Sequence, residues 1–571
     1  MALRYFLNNG TAWNSNTNWS TTDGGVSGAT YPTSADTAYF TSNSGPCTIT
    51  GVNAAVGSLY FSGATAYNKT FNVISFGVNL YGIGGNAVLF LSPNMTVTGS
   101  TTGCNTQPSV TACTITSNGT PWNGYFQFLS GISTVTYTDA MVFNGPNVYY
   151  QNGGTSSIAS TLTFNNGFQV NTSGQIGTFN GGTVYIKGGT WQGNGSINGT
   201  SNFIVNNTTI STFGPSFANN LTFAGTGTTT FANNFNIYTP CTLTYTSGNI
   251  ITTGGVLNIV GSTTLQTSGM SWNNVSFNNA PNITLLSNLN VYNTLAINGT
   301  AGTTFTGGTG LLNFTSGGTV TGSLTLSPTS GVGAVLPNDC NVLDLTITCG
   351  SSSASITVNN INVYRNFTCN GSQVFSSPYS APFNVNMVGT GNVTTTAAAG
   401  IDFWVNINTT GTTTFTSGST FAMRGYPAGG FRQSGFKYSA GTVVVQSGHI
   451  FSVPTAGTVN LNIDSGPIIW SNFNLSAGIS IPTNGTVNIG NSFTTLAGIS
   501  TAAAHISITG TTGSKLNLLP GATQNLEYLN GTNIDSSGGQ TILTYKGVIS
   551  GTNNWALLST QPATVVSTFI R

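Results

Sequence analysis

The feature that most constrains the fold is a succession of short segments in which apolar and polar residues alternate. Examples are STLTF at 160–164, GTVYI at 182–186 and VNLNI at 459–463. Such segments are rich in β-branched or aromatic residues and end at Gly, Asn or Ser-Gly, which is typical of strands joined by tight turns. No extended apolar pattern with helical spacing and caps interrupts them. The sequence therefore predicts an all-β protein.

The chain also repeats itself. Four segments read [NS]-N-apolar-N-apolar, then a short connection and an alternating strand: NNFNIYTPCTLTYTSG from Asn233, SNLNVYNTLAINGT from Ser287, NNINVYRNFTCNGS from Asn359 and SNFNLSAGISIPTNGT from Ser471. The first two intervals between these starting positions are multiples of 18, whereas the third is not. This spacing indicates stacked coils of roughly 18–25 residues with irregular insertions.

Stacked coils predict a parallel β-helix, or β-solenoid, with an irregular N-terminal cap and one or more inserted loops. Phe, Leu, Ile and Val would point inward, while Thr, Ser and Asn would point outward. Asn side chains could form amide ladders between coils about 4.8 Å apart. Strands upstream of the four repeats would direct a side chain inward at Phe223, Phe277, Ile347 and Ile463. A string of β-sandwiches or a trimeric fibre remains the alternative.

Charge is nearly absent, with 10 Lys and Arg and 9 Asp and Glu among 571 residues, or 3%. Ordinary proteins carry about a quarter. Like charges stacked on successive coils would repel, which is a physical reason to exclude them. So few charges disfavour acid–base catalysis, metal cages and phosphate binding, and scattered cations make no basic stripe for nucleic acid. We expect no enzyme, no metal, no cofactor and stability that changes little between about pH 5 and 9.

We expect neither an export signal nor a membrane span. The start, MALRYFLNNGTAW, lacks the apolar stretch of a signal peptide, and no run of apolar residues is long enough to predict a membrane helix. The seven cysteines match no zinc module, so we expect small buried side chains, with a Cys104–Cys113 bridge as the alternative. They are Cys47, Cys104, Cys113, Cys241, Cys340, Cys349 and Cys369.

Few residues could carry catalysis. Glycan cleavage needs two carboxylates that face one cleft, and the candidate pairs are Asp339 with Asp344, and Glu527 with Asp535. With nine acidic residues in the chain, pairs that lie this close in sequence are expected by chance. His449 and His505 are single histidines at strand edges, for which structural or solvated roles are favoured over catalysis or metal binding.

One segment concentrates cations and aromatic residues. Three of the ten cations lie between positions 424 and 437 in a loop-like stretch, without an acid among them. Arg binds planar anions and stacks on rings, and exposed aromatic rings suit sugars or protein partners. We expect this segment to contact a neighbouring subunit or a surface glycan, unless it packs back on its own shaft. The candidate residues are Arg424, Tyr426, Phe431, Arg432, Phe436 and Lys437.

Segments at both ends of the sequence resemble parts of known proteins. RYFLNNGTAW at 4–13, NWS at 18–20, DGG at 23–25 and PTSADTAYF at 32–40 resemble an N-terminal module of phage virion fibre, spike and decoration proteins and related bacterial surface solenoids. LEYLNGTNIDSSGG at 526–539 and GTNNWALLS at 551–559 resemble the C-terminal segments of such proteins. Phe6 stands where the module usually has Trp. In this module we expect Trp13 and Trp19 to be buried as a cap or docking element. Asp36 would cap a turn or pair with Arg4.

The resemblance implies a virion-associated β-helical protein and carries no catalytic residue. We expect a cap or docking module at 1–65, a shaft at 66–400, an irregular insertion at 401–455 and closing coils at 456–571. The expected protein is made in the host cytoplasm and displayed on the virion surface. It would be a homo-oligomer that contacts other virion proteins and, as a further partner, host surface glycans, for attachment, display or particle stabilisation. The alternatives are an extracellular bacterial adhesin or surface-layer solenoid, and a tailspike-type glycan depolymerase.

Overall fold

A computed structural model describes residues 2–559 with gaps. The gaps are 63–65, 100–101, 130, 147, 151–153, 171–175, 194–195, 213–215, 218–219, 239–240, 268, 279–281, 300–302, 306–308, 317–318, 329–333, 337–338, 350–355, 372–382, 397–400, 402, 418, 424–434, 447–448, 454–457, 464–467, 476–477, 482 and 496–504. The chain forms two compact units, Met1–Asn274 (unit 1) and Val275–Arg571 (unit 2). Each is taken separately below.

Unit 1 consists of short strands and one 3-10 turn at Asn16–Asn18. Its strands are β1 Leu3–Phe6, β2 Trp19–Ser20, β3 Thr37–Phe40, β4 Cys47–Thr48, β5 Ala54–Val56, β6 Ser58–Phe61, β7 Thr70–Val73, β8 Val78–Leu80, β9 Asn86–Phe90, β10 Thr96–Gly99, β11 Gly103–Thr106, β12 Ala112–Thr116, β13 Tyr125–Phe128, β14 Thr134–Tyr137, β15 Met141–Phe143, β16 Val148–Tyr150, β17 Gly154–Ile158, β18 Thr161–Phe164, β19 Phe168–Val170, β20 Ile176–Asn180, β21 Thr183–Ile186, β22 Thr190–Gly193, β23 Ser196–Gly199, β24 Asn202–Val205, β25 Thr209–Thr212, β26 Ser216–Phe217, β27 Asn220–Phe223, β28 Thr228–Phe231, β29 Phe235–Ile237, β30 Cys241–Tyr245, β31 Asn249–Ile251, β32 Val256–Ile259 and β33 Thr263–Gln266; β34 Ser271–Asn278 contains the boundary between the units.

The strands of unit 1 stack in parallel, coil on coil, on three faces. One face contains β12, β14, β17, β20 and β23, a second contains β13, β16, β19, β22 and β25, and the third contains β15, β18, β21, β24 and β27. On the third face Thr161 pairs with Thr183, Thr183 with Asn202, and Asn202 with Asn220. Each coil therefore takes roughly 20 residues, within the range of solenoid repeats. Strands alternate between buried and partly exposed residues, as in β21 and β24.

Unit 2 has longer strands. They are β35 Asn282–Leu285, β36 Leu289–Gly299, β37 Thr303–Phe305, β38 Leu312–Asn313, β39 Thr315–Ser316, β40 Thr319–Val320, β41 Ser323–Pro328, β42 Ala334–Val335, β43 Cys340–Cys349, β44 Ile356–Thr357, β45 Asn360–Gly371, β46 Asn384–Met387, β47 Gly391–Thr395, β48 Trp404–Phe415, β49 Thr420–Ala422, β50 Gly435–Val445, β51 Ile450–Val453, β52 Thr458–Ile463, β53 Ile468–Leu475, β54 Gly478–Ile481, β55 Thr486–Thr495, β56 Ile506–Gly510, β57 Lys515–Leu518, β58 Thr523–Asn525, β59 Leu529–Thr532, β60 Ile542–Tyr545, β61 Ile549–Ser550 and β62 Trp555–Leu558.

The main sheet of unit 2 also rises coil by coil in parallel register. Cys340 pairs with Ile361, Ile361 with Val385, and Val385 with Val405, so the coils are of similar length to those of unit 1. The next step, from Val405 to Phe436, is longer than any of these. Extra chain therefore lies between two strands that are themselves in register.

Each unit is a parallel β-solenoid, which confirms the predicted fold class; the alternative of β-sandwiches is wrong. Phe223, Phe277 and Ile347 are fully buried, as predicted, whereas the side chain of Ile463 lies outside the described residues. Six of the seven cysteines are buried, and Cys104 and Cys113 form no disulfide bridge with each other. The side chain of the seventh, Cys349, lies outside the described residues.

The regular spacing of Asn within the repeats has a structural cause. The Asn between the two apolar residues of the motif is a rung of an outward polar ladder: Asn258 donates to Asn236 at 2.8 Å, Asn313 to Asn290 at 2.9 Å, and Asn362 to Asn341 at 2.8 Å. These bonds join side chains on successive coils. The predicted amide ladders are therefore present in both units.

Candidate functional site

The first coils of unit 1 enclose a cluster of aromatic rings. Trp13 and Trp19 are 2% and 0% exposed, as predicted, with ring centroids 4.9 Å apart at 73°. The indole Nε1 of Trp19 donates to the carbonyl of Trp13 at 2.6 Å, and Phe6 and Phe40 pack on Trp19. Strand β2, which contains Trp19, pairs antiparallel with β1. A two-residue antiparallel strand ends a parallel stack and leaves little free edge.

Asp36 caps a turn in this module. Its carboxylate accepts hydrogen bonds from the Thr33 N–H at 3.0 Å, the Thr33 hydroxyl at 2.8 Å and the Ala2 N–H at 3.0 Å. Burial raises the pKa of Asp36, but these hydrogen bonds, with a smaller effect of Arg4, outweigh it and hold the pKa below its ordinary value. These contacts agree with a turn-capping role, in which Arg4 has only a smaller electrostatic effect.

The outer surface of the first coils, from β1 to β9, carries an aromatic ladder. Tyr5, Tyr39, Tyr60 and Phe90 occupy outward positions on β1, β3, β6 and β9. Their ring centroids are 5.2, 5.0 and 6.1 Å apart, and all three pairs are stacked. On the next strand Thr116 takes the position beside Phe90. The ladder is thus confined to the first coils. Its stacked rings cover each other's faces, and all four side chains are partly exposed.

The segment predicted to make contacts is only partly within the described residues. Arg424, Tyr426, Phe431 and Arg432 lie outside them. Phe436 is 0% exposed and packs against Phe415, Phe421 and Trp470 at centroid distances of 6.0, 6.0 and 5.8 Å. The structure therefore places the Phe436 ring in the core, where it contacts rings of its own chain.

Lys437 is partly exposed and occupies a rung of the main-sheet ladder. Asn362 donates to Asn341, Asn386 to Asn362, and Asn406 to Asn386, each at 2.8 Å. On the coil that follows Asn406, Lys437 occupies the position in register with it. The buried Oδ1 of Asn406 has no partner among the described residues. The position in register with it carries the Lys437 ammonium instead of the amide that would continue the series.

The first candidate carboxylate pair is used in structural hydrogen bonds. Asp344 forms a bidentate ion pair with Arg365 and accepts further bonds from Asn366. Burial raises the pKa of Asp344, but the Arg365 hydrogen bond and charge outweigh it and lower the pKa. Asp339 accepts from the Asn360 N–H at 3.1 Å and its Nδ2 at 2.9 Å.

The second candidate pair is also built into the stacked coils. Asp535 accepts from the Ser537 N–H at 3.0 Å and bridges in register to Lys515 on one side and Asn553 on the other. The Ser537 hydrogen bonds hold the pKa of Asp535 below its ordinary value. Glu527 bridges to Tyr545, a different position on the coil. These bridges place the two carboxylates on different rungs.

His449 is a core residue. It is 0% exposed and lies against Phe415 and Trp470, with centroids at 5.2 and 5.8 Å. Its Nδ1 lies 2.9 Å from the Ser419 hydroxyl and 3.3 Å from the Thr416 carbonyl, while Nε2 has no partner among the described residues. Burial lowers the pKa of His449 to about 4. The preference for a structural role fits this environment.

A cluster that sequence reasoning missed lies near the end of unit 2. We call His505, Tyr528, Tyr545 and Lys546 the closing corner. The Lys546 ammonium donates to the Tyr528 hydroxyl at 3.2 Å and lies 5.3 and 4.9 Å from the ring centroids of Tyr528 and Tyr545. The His505 ring meets Tyr528 edge-on at 5.6 Å. The only sequence signal was an aromatic residue in EYLNG and an aromatic–cation pair in TYKG.

Two absences apply to the described part of the chain. It holds no group of three or more His, Cys, Asp or Glu side chains arranged to bind a metal. None of its helices has the length and hydropathy needed to cross a membrane.

Comparison with protein-family models, with curated proteins and with solved structures finds no match to this chain. The family resemblance of the two ends therefore stays a prediction.

Proposed function

We propose that this protein is a non-enzymatic structural protein of a phage virion, a fibre, spike or capsid decoration that acts in attachment, display or particle stabilisation. A charge-poor solenoid with closely packed aromatic rings suits a rigid body that must persist outside a cell. The N-terminal module would dock it on the particle, and an outward glycan-facing surface would serve attachment.

The observation that supports docking is the outward ladder of Tyr5, Tyr39, Tyr60 and Phe90. Outward positions elsewhere are mostly Thr, Ser and Asn, so four stacked aromatic residues on the first coils need another reason. Tyr is enriched in protein interfaces because its ring and hydroxyl combine apolar contact with hydrogen bonding. The partner that fits this surface is a virion protein with apolar contacts and hydrogen-bond acceptors.

The test is particle incorporation. Phage carrying Tyr39→Ser and Tyr60→Ser together should yield particles with less than about a tenth of the parental content of this protein, measured by mass spectrometry of purified virions. Because both side chains point outward, the purified variant should keep its β-sheet circular dichroism. The matched control is Tyr185→Ser, an outward tyrosine on β21 of the same unit, which should incorporate normally.

Three outcomes would count against this proposal. Normal incorporation of the Tyr39/Tyr60 variant would remove the docking role. Absence of the protein from purified particles, with immunogold label on the surface of the producing cell instead, would favour the adhesin alternative. Release of reducing ends from capsular polysaccharide, lost in a variant with Asp339 and Asp344 replaced by Asn, would favour the depolymerase.

A further inference from the structure

The closing corner consists of side chains that lie on successive coils near the end of unit 2. His505 directly precedes β56, Tyr528 directly precedes β59, and Tyr545 and Lys546 lie on the approach to β61. Because these strands stack in register, side chains that are far apart in sequence become neighbours. Lys546 is exposed, and the others are partly exposed.

Two of these residues hold an uncommon backbone conformation. Tyr528 and Lys546 have φ of 51° and 55°, in the left-handed region. Other left-handed positions along the chain are occupied mainly by Gly and Asn, which adopt this conformation readily. A bulky Tyr is disfavoured there, and strain of this kind clusters at functional sites.

The tautomer of neutral His505 follows from its neighbours. Its Nδ1 lies 2.7 Å from Asn530 Oδ1, which also accepts the Val548 N–H at 2.7 Å. A backbone N–H can only donate, so the Asn530 atom is the amide oxygen and His505 Nδ1 must donate to it. In neutral His505, Nε2 is therefore left as a hydrogen-bond acceptor.

The corner thus offers one cation, two phenol groups and an imidazole acceptor, and the acid Glu527 lies beside it, bridged in register to Tyr545. One ammonium matches one negative charge, whereas a polyanion would need several cations. The phenol groups and the imidazole suit ring hydroxyls and the apolar face of a sugar. We propose that the closing corner binds a saccharide that carries a carboxylate, with the carboxylate on Lys546 and a sugar hydroxyl on His505 Nε2. This proposal rests on the proposed attachment function for its biological source, a cell-surface glycan.

The surroundings orient such a ligand. At the opposite ends of β56, β59 and β61 lies an open polar groove of about 530 Å³, lined by residues that include Thr511, Asn533, Asp535 and Asn553. The Asp535 carboxylate would repel an acidic sugar in this groove. Uncharged sugar units therefore fit the groove, and the acidic unit fits the Lys546 end.

The test uses the full-length protein and isothermal titration calorimetry. The probes are trigalacturonate and sialyllactose, with galactotriose and lactose as the uncharged counterparts. At least one acidic probe should bind, and its uncharged counterpart should bind at least about tenfold more weakly, because a charge-assisted hydrogen bond is lost. Lys546→Gln should weaken binding of the acidic probe by at least about tenfold and should leave the uncharged counterpart unaffected.

The chain provides a matched control. Lys187 lies 5.0 Å from the ring centroid of Tyr185 in unit 1, a lysine over a single tyrosine, so Lys187→Gln should leave binding unchanged. His505→Gln should weaken both acidic and uncharged probes, since it acts on a hydroxyl. The inference is overturned if neither acidic probe binds, if Lys546→Gln binds like the parent, or if sodium acetate competes as well as the oligosaccharide. None of these results would change particle incorporation, which tests the proposed function separately.

Discussion

At the scale of single residues, burial has its clearest effect on the pKa of His449. His449 packs between the rings of Phe415 and Trp470, and Nε2 has no acceptor among the described residues. Protonation would place a charge and an unpaired N–H in an apolar site, which is why burial lowers the pKa to about 4. The described residues in contact with this ring, including Thr416 and Ser419, carry no charge.

The sign of the pH effect follows. The pKa of His449 is 6.5 in the unfolded chain and about 4 in the folded chain. Between these pH values the unfolded chain binds a proton at His449 and the folded chain does not. Stability is therefore lost as pH falls through this window, by about 2 kcal/mol between pH 7 and 4.5. Urea unfolding at both pH values, monitored by tryptophan fluorescence, should show this loss in the parent and a flatter profile in His449→Phe.

The control keeps the histidine and lowers stability by another route. Phe473→Leu truncates a fully buried ring that stacks on Phe451, so its cost should be equal at both pH values. A parent chain as stable at pH 4.5 as at pH 7 would show that the core accommodates the charged ring. It would also support the flat profile expected from a sequence with so few ionisable groups.

Sequence reasoning predicted the environments that depend on local pattern, and it missed those that depend on stacking. The turn around Asp36 and the burial of Trp13 and Trp19 follow from residue type and neighbouring sequence. The closing corner could not be foreseen, because His505 and Lys546 become neighbours only once coil lengths are known. Coil length is not constant: the step from Asn202 to Asn220 is little more than half as long as the step from Val405 to Phe436.

At the scale of the element, the polar ladder is a repeating unit of stability. Each Asn rung donates from Nδ2 to the Oδ1 of the preceding coil, so its bonds share one direction. Alignment by sequence found the Asn motif but not the interruption at Lys437. A lysine inside a polar ladder can be recognised only when register places it beside Asn406.

Lys437→Asn should therefore stabilise the protein. An amide at this rung would donate to the unpaired Oδ1 of Asn406, and a buried hydrogen bond of this kind contributes about 1 kcal/mol. The measurement is the urea midpoint at pH 7. Lys437→Ala removes the same charge without supplying the amide, and it should give no gain. Equal midpoints for the two variants would show that charge removal, rather than the ladder, governs this position.

At the scale of the whole molecule, three of the acids each lie beside an Asn on the following coil. Asp339 faces Asn360, Asp344 pairs with Asn366, and Asp535 bridges to Asn553 on the following coil. Two carboxylates at the same spacing of about 4.8 Å would repel each other, by about 3 kcal/mol near a protein surface. This repulsion is a physical reason for a low charge content in a stack of identical positions, and in these three rungs Asn is the neutral residue beside the acid.

This arrangement predicts that stability depends little on salt. Among the described residues the ion pair is Arg365–Asp344, and the Arg365 side chain is 54% exposed, so screening can remove little free energy. Raising NaCl from about 0.05 to 0.5 M should change the free energy of unfolding, measured in urea, by less than about 1 kcal/mol. Arg365→Gln should behave alike at both concentrations, because Asn366 still donates two hydrogen bonds to the Asp344 carboxylate. A loss of several kcal/mol in high salt would mean that long-range electrostatics hold the coils together, and the amide ladders would then be secondary.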